Sequence, residues 1–332
     1  MVAQIDRRFI QARPAKLWPR LLAYALFEGR PLTTRGRWIN PLVLAGYRLW
    51  GALPQRRAAT DPIFILGLGR TGTTVLGTIL ALHRDLGYLN EPKALWHAAL
   101  GDDDLIGSYS ARPGRYRMGR HDADSGKLRR LRRYHGAYLR LAGCRRVVDK
   151  YPELLFRTGL LEAVFPEARL IILIRNGNDT CQSIEQWSAR NAAGADDWWG
   201  RDRRKWRIML EELVAPDPYF ARALTAIRRF ERHRDMAALE WIVTMREALR
   251  LRASATRGLF FLRYEDLARK PREQLAALFD FCALERDETV LDYAAAVLRP
   301  RPPYPAIELH PALQPLFDET MRTLGYRPSE PA

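Results

Sequence analysis

The stretch Pro62-Ile-Phe-Ile-Leu-Gly67-Leu-Gly69-Arg70-Thr71-Gly72-Thr73-Thr74 decides the fold. Its first six residues are an apolar run ending in glycine, the pattern of a short buried strand. A glycine-rich turn follows, and helical spacing resumes from Val75 to His83. Strand, glycine turn and helix in that order make a cradle for an anion. Glycines let backbone N–H groups come close, and the helix N-terminus adds a partial positive charge. An ordinary strand-to-helix turn is the plainer alternative; the flanking strand and helix favour the cradle.

The nucleotidase loop G-x-x-x-x-G-K-[ST] is the natural comparison. Gly67, Gly72 and Thr74 match it, but Thr73 stands at the lysine position. ATPases and GTPases use that lysine to reach the β- and γ-phosphates, so its absence argues against triphosphate hydrolysis. Arg70 supplies a cation earlier in the loop instead.

Outward from the loop, Val147-Val-Asp149, Leu170–Ile174 and Leu259–Leu262 also read as strands. Helices are expected at 127–141, 153–164, from Asn178 or Asp179 onward, at 220–231, 235–252, 272–282 and 311–324. Apolar strands alternating with helices predict an α/β fold, a three-layer α/β/α arrangement of P-loop type around a central parallel sheet. Ligands of such sheets sit at the C-terminal strand ends, where the charged motifs fall. Residues 1–58 are basic and aromatic, with helices near 15–28 and 40–52. They form a helical arm ahead of one domain spanning 59–332. An arm packed on that domain is the first expectation; peripheral contact with the inner membrane surface is the second, since basic amphipathic helices serve both. The loops at 102–125 and the Trp-rich segment 188–206 are expected to shape a pocket, with Trp198 and Trp199 either stacking on an acceptor ring or buried in the core.

The 332 residues carry a formal net charge of +16, which implies an anionic ligand, an anionic surface or both. Cys144, Cys181 and Cys282 have no paired spacing, the first residues make no signal peptide, and no apolar run is long enough to span a membrane. A cytoplasmic protein without a structural metal is expected.

Together these segments resemble the PAPS-dependent sulfotransferases, closest in motif spacing to the tyrosylprotein-type and carbohydrate-type enzymes and related bacterial sulfotransferases. In that family a P-[RK]-[ST]-G-T-T loop binds the 5′-phosphosulfate of 3′-phosphoadenosine-5′-phosphosulfate (PAPS). The resemblance gives that role to Gly69, Arg70, Thr71, Gly72, Thr73 and Thr74, with Gly69 where proline is usual. The family also has a strand ending in arginine with serine eight residues on. Leu170–Arg175 and Ser183 fit, which implies that both hold the 3′-phosphate; an Arg175–Asp179 pair is the plain alternative. Lys150, in Asp149-Lys150-Tyr-Pro, matches an N/D-K-x-P segment whose lysine faces the sulfuryl group. Arg263-Tyr264-Glu-Asp-Leu267 resembles an element near the adenine, a strand end with a helix cap being the alternative, and Arg299 and Arg301 lie in a tail loop of the kind that closes over the 3′-phosphate, a solvated basic loop being the alternative.

The resemblance implies in-line transfer of a sulfuryl group from PAPS to an acceptor hydroxyl on a carbohydrate, a lipid or glycolipid, or another small molecule, with 3′-phosphoadenosine 5′-phosphate as product. Such an attack needs a base. Glu91, in Asn90-Glu91-Pro-Lys93, is the candidate, with Arg70 and Lys150 stabilising charge; Glu91 paired to Lys93 is the bland reading, and His83 and His97 are the rival bases. Two other functions compete. A P-loop kinase or nucleotide-binding protein lacks its lysine here. A nucleic-acid binder is suggested by Arg129–Arg133 and Arg201–Lys205, but no reader motif accompanies those runs.

Overall fold

The computed structural model describes residues 3–31, 36–52, 59, 61–191, 198–254 and 258–327. Five parallel strands form one sheet: β1 (Ile63–Gly67), β2 (Leu86–Asn90), β3 (Arg146–Lys150), β4 (Arg169–Ile174) and β5 (Leu259–Arg263), in the spatial order β2-β3-β1-β4-β5. The first strand sits in the middle, buried at all five positions. It pairs with β3 through Ile65 opposite Lys150, and with β4 through Gly67 opposite Leu173.

The alternation of side chains along each strand splits the core in two. Phe64, Leu66, Val147 and Ile172 point to one face, which is covered by the helices Lys93–Leu100, Ser125–Ala142, Gly177–Asn191 and His233–Ala253. Ile63, Ile65, Val148 and Ile171 point to the other, covered by Thr73–Ala81, Pro271–Cys282 and Glu288–Val297. The molecule is thus the expected three-layer α/β/α fold with a parallel centre.

Several elements differ from expectation. Leu86–Asn90 is a fifth strand at the edge of the sheet. The 153–164 helix splits into a tight turn, Pro152–Arg157, and the helix Thr158–Val164. The 220–231 helix shrinks to Leu224–Ile227. The helix after β4 begins at Gly177, because the Asn176 side chain, not Asn178 or Asp179, accepts from its first N–H groups.

The arm is bolted to the sheet by buried cations. Lys16 donates to the carbonyls of Arg84 and Leu86, both at 2.9 Å. Arg20 donates to the Tyr88 carbonyl at 3.0 Å and pairs with Glu28, and Glu28 in turn accepts the Asn90 N–H at 2.7 Å. A charge buried this deeply persists only when paired, so these contacts fix the arm at the end of β2. The arm also carries every large apolar side chain that is exposed among the described residues, Trp18, Trp38, Leu42 and Leu49 among them. No described helix is long and apolar enough to cross a membrane. Cys144, Cys181 and Cys282 are free and buried.

Part of each arginine run is spent on internal contacts. Arg130, Arg132 and Arg133 donate to the carbonyls of Ala99, Val164 and Gly51. Arg204 clamps the carbonyls of Ser110, Ala111 and Arg112, and Lys205 is buried against Glu240. These residues tie helices and loops together, while Arg129, Arg201 and Arg203 are exposed.

Candidate active site

The C-terminal ends of β1, β2, β3 and β4 converge on one edge of the sheet, and the loop after β1 lies between them. Gly67 and Gly72 have φ of +141° and +99°, backbone that an L side chain rarely adopts. Gly72 also has no room for a side chain, since a Cβ there would meet the Tyr264 ring at 2.3 Å. Tyr264 therefore packs directly on the loop. The loop opens the helix Thr73–Ala81, whose first N–H groups have no partner within the helix.

Gly69 explains its own departure from proline. A Cβ at this position would lie 2.5 Å from the Trp198 ring. The indole fills the space that a proline ring would take. Gly69→Pro is expected to lower stability by about 1–3 kcal/mol through overpacking. Thermal unfolding of the single variant and of Gly69→Pro with Trp198→Ala checks this; the second substitution should recover part of the loss.

Two distant segments meet at the loop. Arg70 Nε donates to Ser183 Oγ at 3.1 Å, and Arg175 donates to the Arg70 carbonyl at 3.0 Å. Arg175 also pairs with Asp179 at 3.3 Å, so the plain alternative is present as well, and its guanidinium lies 4.7 Å from the Tyr264 ring centroid. Its Nε is buried and finds no hydrogen-bond partner. Burial and then the neighbouring Arg175 and Arg190 push the Arg70 guanidinium below its ordinary value. Crowded cations with an orphaned N–H fit an anion between them.

On the other side of the loop, Lys150 ends β3 with only 1 % of its side chain exposed. Its ammonium meets Glu91 Oε1 at 2.5 Å. Glu91 lies just past β2 and is held by its backbone as well, with its N–H on the Lys150 carbonyl at 2.6 Å. Burial alone would raise the Glu91 carboxyl, but Lys150 and then Lys93 overcome it and lower it to about 2. Glu91 and Arg70 both hold left-handed backbone, with φ of +48° and +72°. Non-glycine residues there cost on the order of 1–3 kcal/mol each and gather at functional sites.

The rival bases are structural. His83 is fully buried, with Nε2 on the Glu285 carbonyl and its ring against Phe279. His97 binds Asp103 at 3.1 Å and stacks on Tyr109. Asp149, next to Lys150, is turned into the core, where Trp96 and His135 both donate to it at 2.9 Å. The tail loop lies along the Gly177–Asn191 helix, through Tyr304 N–H on Asp179 and Gln182 on the Pro305 carbonyl. Arg299 folds back on the carbonyls of Ala295 and Leu298, and Arg301 is exposed; neither lines the cavity beside the loop.

That cavity holds about 310 Å³ between the loop, Glu91 and the arm. Sequence reasoning overlooked most of its wall. An ion-pair chain runs from Glu91 through Lys93 (3.7 Å), Glu153 (3.3 Å) and Lys205 (3.8 Å) to Glu240 (2.5 Å). Trp198 donates to Glu240 at 2.5 Å and lines the cavity, whereas Trp199 is core. Tyr24, Glu28 and Arg30 bring the arm into the wall. One signal was available: Glu240 is a lone carboxylate in an otherwise apolar stretch, Met236–Val243. Residues 192–197 of the Trp-rich segment lie outside the described residues.

A model of the sulfotransferase family matches residues 62–288, well over half of the chain. The chain belongs to the sulfotransferase family. The match opens just before β1 and takes in the loop, Glu91, Lys150, Arg175, Ser183 and Tyr264; the arm lies outside it. Among solved structures, sulfotransferase STF9 from Mycobacterium avium is 16% identical over 99% of both chains, with a TM-score of 0.50. A sulfotransferase from Alicyclobacillus acidocaldarius is 19% identical over 81% of this chain and 97% of its own, at 0.43. Mouse sulfotransferase SULT7A1, solved as a complex with PAP, is 15% identical over 77% and 70%, at 0.38. At such identities the likeness of this sulfotransferase to STF9 is one of fold. No curated protein matches the sequence.

Proposed function

We propose that this sulfotransferase uses PAPS as donor and transfers the sulfuryl group to a hydroxyl of an acceptor lying in the cavity beside Glu91. The observation that carries the donor reading is the junction of Arg70, Ser183 and Arg175, residues more than a hundred positions apart in part, around a buried N–H without a partner. When bound, PAPS supplies an activated sulfuryl group and a good phosphate leaving group.

The residues divide the work by position. Arg175 and Ser183 hold the 3′-phosphate, the arginine as a rigid fork and the serine as a hydroxyl donor. Tyr264 supports both Arg175 and Gly72. The N–H groups of Thr73 and Thr74, with the Arg70 guanidinium, hold the 5′-phosphosulfate. Lys150 faces the sulfuryl oxygens, where charge grows in the transition state. Glu91 takes the proton from the acceptor hydroxyl as the new S–O bond forms and the bond from sulfur to the phosphate oxygen breaks.

The Glu91–Lys150 pair gives this scheme a switch. A carboxylate lowered to about 2 is a weak base. A sulfuryl oxygen that shares the Lys150 ammonium loosens its hold on Glu91 and raises the basicity where it is used. The profile of kcat/KM for PAPS reports the free enzyme and that of kcat the loaded one. The acidic limb of kcat is therefore expected at higher pH than that of kcat/KM, and Glu91→Gln should remove it. Coincident limbs, or a limb that survives Glu91→Gln, would assign the base elsewhere. For folding the sign runs with the lowered carboxyl: its contribution is complete above its ordinary value of 4.5 and fades as pH falls toward about 2.

The direct test is transfer of label from sulfur-labelled PAPS to acceptor by the wild type. Labelled product that disappears with Glu91→Gln supports the proposal; a folded enzyme that releases no label from PAPS under any acceptor condition contradicts it.

A further inference from the structure

The N-terminal arm, which the family match leaves out, holds all the large apolar side chains that are exposed among the described residues. The helix Asn40–Ala52 shows that this is more than scattered exposure. Val43 and Tyr47 face the core, and the Tyr47 ring lies 4.7 Å from that of Tyr134. On the helical repeat of about 3.6 residues, Leu42, Ala45 and Leu49 fall on the opposite side. All three are exposed. Trp38, one turn earlier, extends the stripe; it is 78 % exposed and Leu42 67 %. A helix that is apolar on both sides belongs in an interior, so its outer stripe marks a contact surface.

Charge decides what that contact is. Residues 1–58 hold eleven arginines and lysines and two carboxylates, Asp6 and Glu28. Asp6 is held by the Phe9 N–H, and Glu28 is buried against Arg20. Arg37 and Arg48 are exposed and fall together on one flank of the apolar stripe. The helix Ser125–Ala142 continues the pattern beside the arm. Its Arg133 donates to the Gly51 carbonyl. Its Leu141 carbonyl accepts the indole N–H of Trp18, which is still 61 % exposed. Arg129, Arg133 and Arg140 share one exposed stripe of this helix, and residues 125–142 contain no carboxylate.

We infer that this face of the arm docks on the surface of an anionic lipid bilayer. Trp38, Leu42 and Leu49 enter the boundary between headgroups and acyl chains, and Arg37 and Arg48 reach the lipid phosphates. Apolar and indole side chains edged by arginines suit that boundary, because stems bury while guanidinium heads stay among anions. A second copy of the chain would set one arginine rim against another, so charge opposes it. The contact lies on the membrane, since no described helix can cross one. The arm also walls the cavity beside Glu91 through Tyr24, Glu28 and Arg30, so docking holds the active site at the membrane. This inference is independent of the donor and of the base.

The test is co-sedimentation of the full chain with vesicles of phosphatidylcholine alone and of phosphatidylcholine mixed with phosphatidylglycerol. The chain is expected on the mixed vesicles, with binding that weakens as salt rises. Trp38→Ser and Leu42→Ser should each weaken it roughly tenfold. Arg48→Gln should weaken it about fivefold. These side chains are exposed, so the variants should keep the wild-type thermal midpoint, which separates loss of the surface from loss of the fold. A folded wild type that stays off both kinds of vesicle would overturn the inference. Equal binding to both kinds, or binding that survives Trp38→Ser with Leu42→Ser, would overturn it too. A wild type that ignores vesicles and forms a dimer that Leu42→Ser splits would overturn it and give the face to a second copy.

Discussion

Lys150→Ala is expected to lower kcat by roughly 10²–10³ with little change in affinity for 3′,5′-adenosine bisphosphate. The ammonium is almost fully buried, at the end of β3, and meets Glu91 at 2.5 Å. A preorganised donor in such a place acts where negative charge develops, and loss of one such donor typically costs that range. The bisphosphate lacks the sulfuryl group, so its binding does not draw on Lys150. Two effects combine in the variant. The developing charge loses its donor, and Glu91 loses the strongest of the three lysines, Lys150, Lys93 and Lys205, that act on it. Lys93 stays 3.7 Å from Glu91, so the carboxylate is not left alone and the variant should fold. Single-turnover kinetics with saturating PAPS reads the loss. A kcat within a few-fold of wild type would move Lys150 out of the reaction and leave it as a partner for Glu91.

Arg175→Ala is the second large effect, and it appears in binding. Its guanidinium touches the Arg70 carbonyl, Asp179 and the Tyr264 face, and its Nε faces no partner. Charge-assisted hydrogen bonds are worth about 1.5–3 kcal/mol, so affinity for the bisphosphate should fall roughly 10- to 150-fold. Arg175→Lys should recover only part, because an ammonium keeps the charge and loses the fork. The loss should depend on the 3′-phosphate: 5′-AMP should bind wild type and variant alike.

The sheet was legible where strands are buried on both faces. Ile63–Gly67 and, after Arg169, Leu170–Ile174 are apolar throughout because helices cover both sides of them. Leu86–Asn90 was not legible as a strand, since Gly87 and Asn90 break its pattern. Gly87 is there because the Tyr138 ring crosses it; a Cβ would meet that ring at 2.7 Å. That reason is tertiary and leaves no local trace.

The same division runs through the site. Gly69 to Thr74 are contiguous and announced themselves as a loop between strand and helix, whereas Arg175 and Ser183, eight residues apart after a strand, came forward only through the family resemblance. Glu91 and Lys150 came from motif and meet as one ion pair. Glu153, Lys205 and Glu240 come from three segments whose approach depends on packing, and Lys205 was hidden in a run of arginines. Arg299 was read from its loop; its guanidinium instead satisfies carbonyls at the end of its own helix. The arm looked separate by composition, yet Glu28 reaches the Asn90 N–H beside Glu91 and joins the cavity wall.

Calorimetric titration of the wild type and Arg175→Ala with 3′,5′-adenosine bisphosphate, set against ATP with magnesium, tests the centre of this account. The expected result is bisphosphate binding that Arg175→Ala weakens at least tenfold, with ATP weaker and indifferent to magnesium. A folded wild type that ignores the bisphosphate and binds ATP in a magnesium-dependent way would contradict the account.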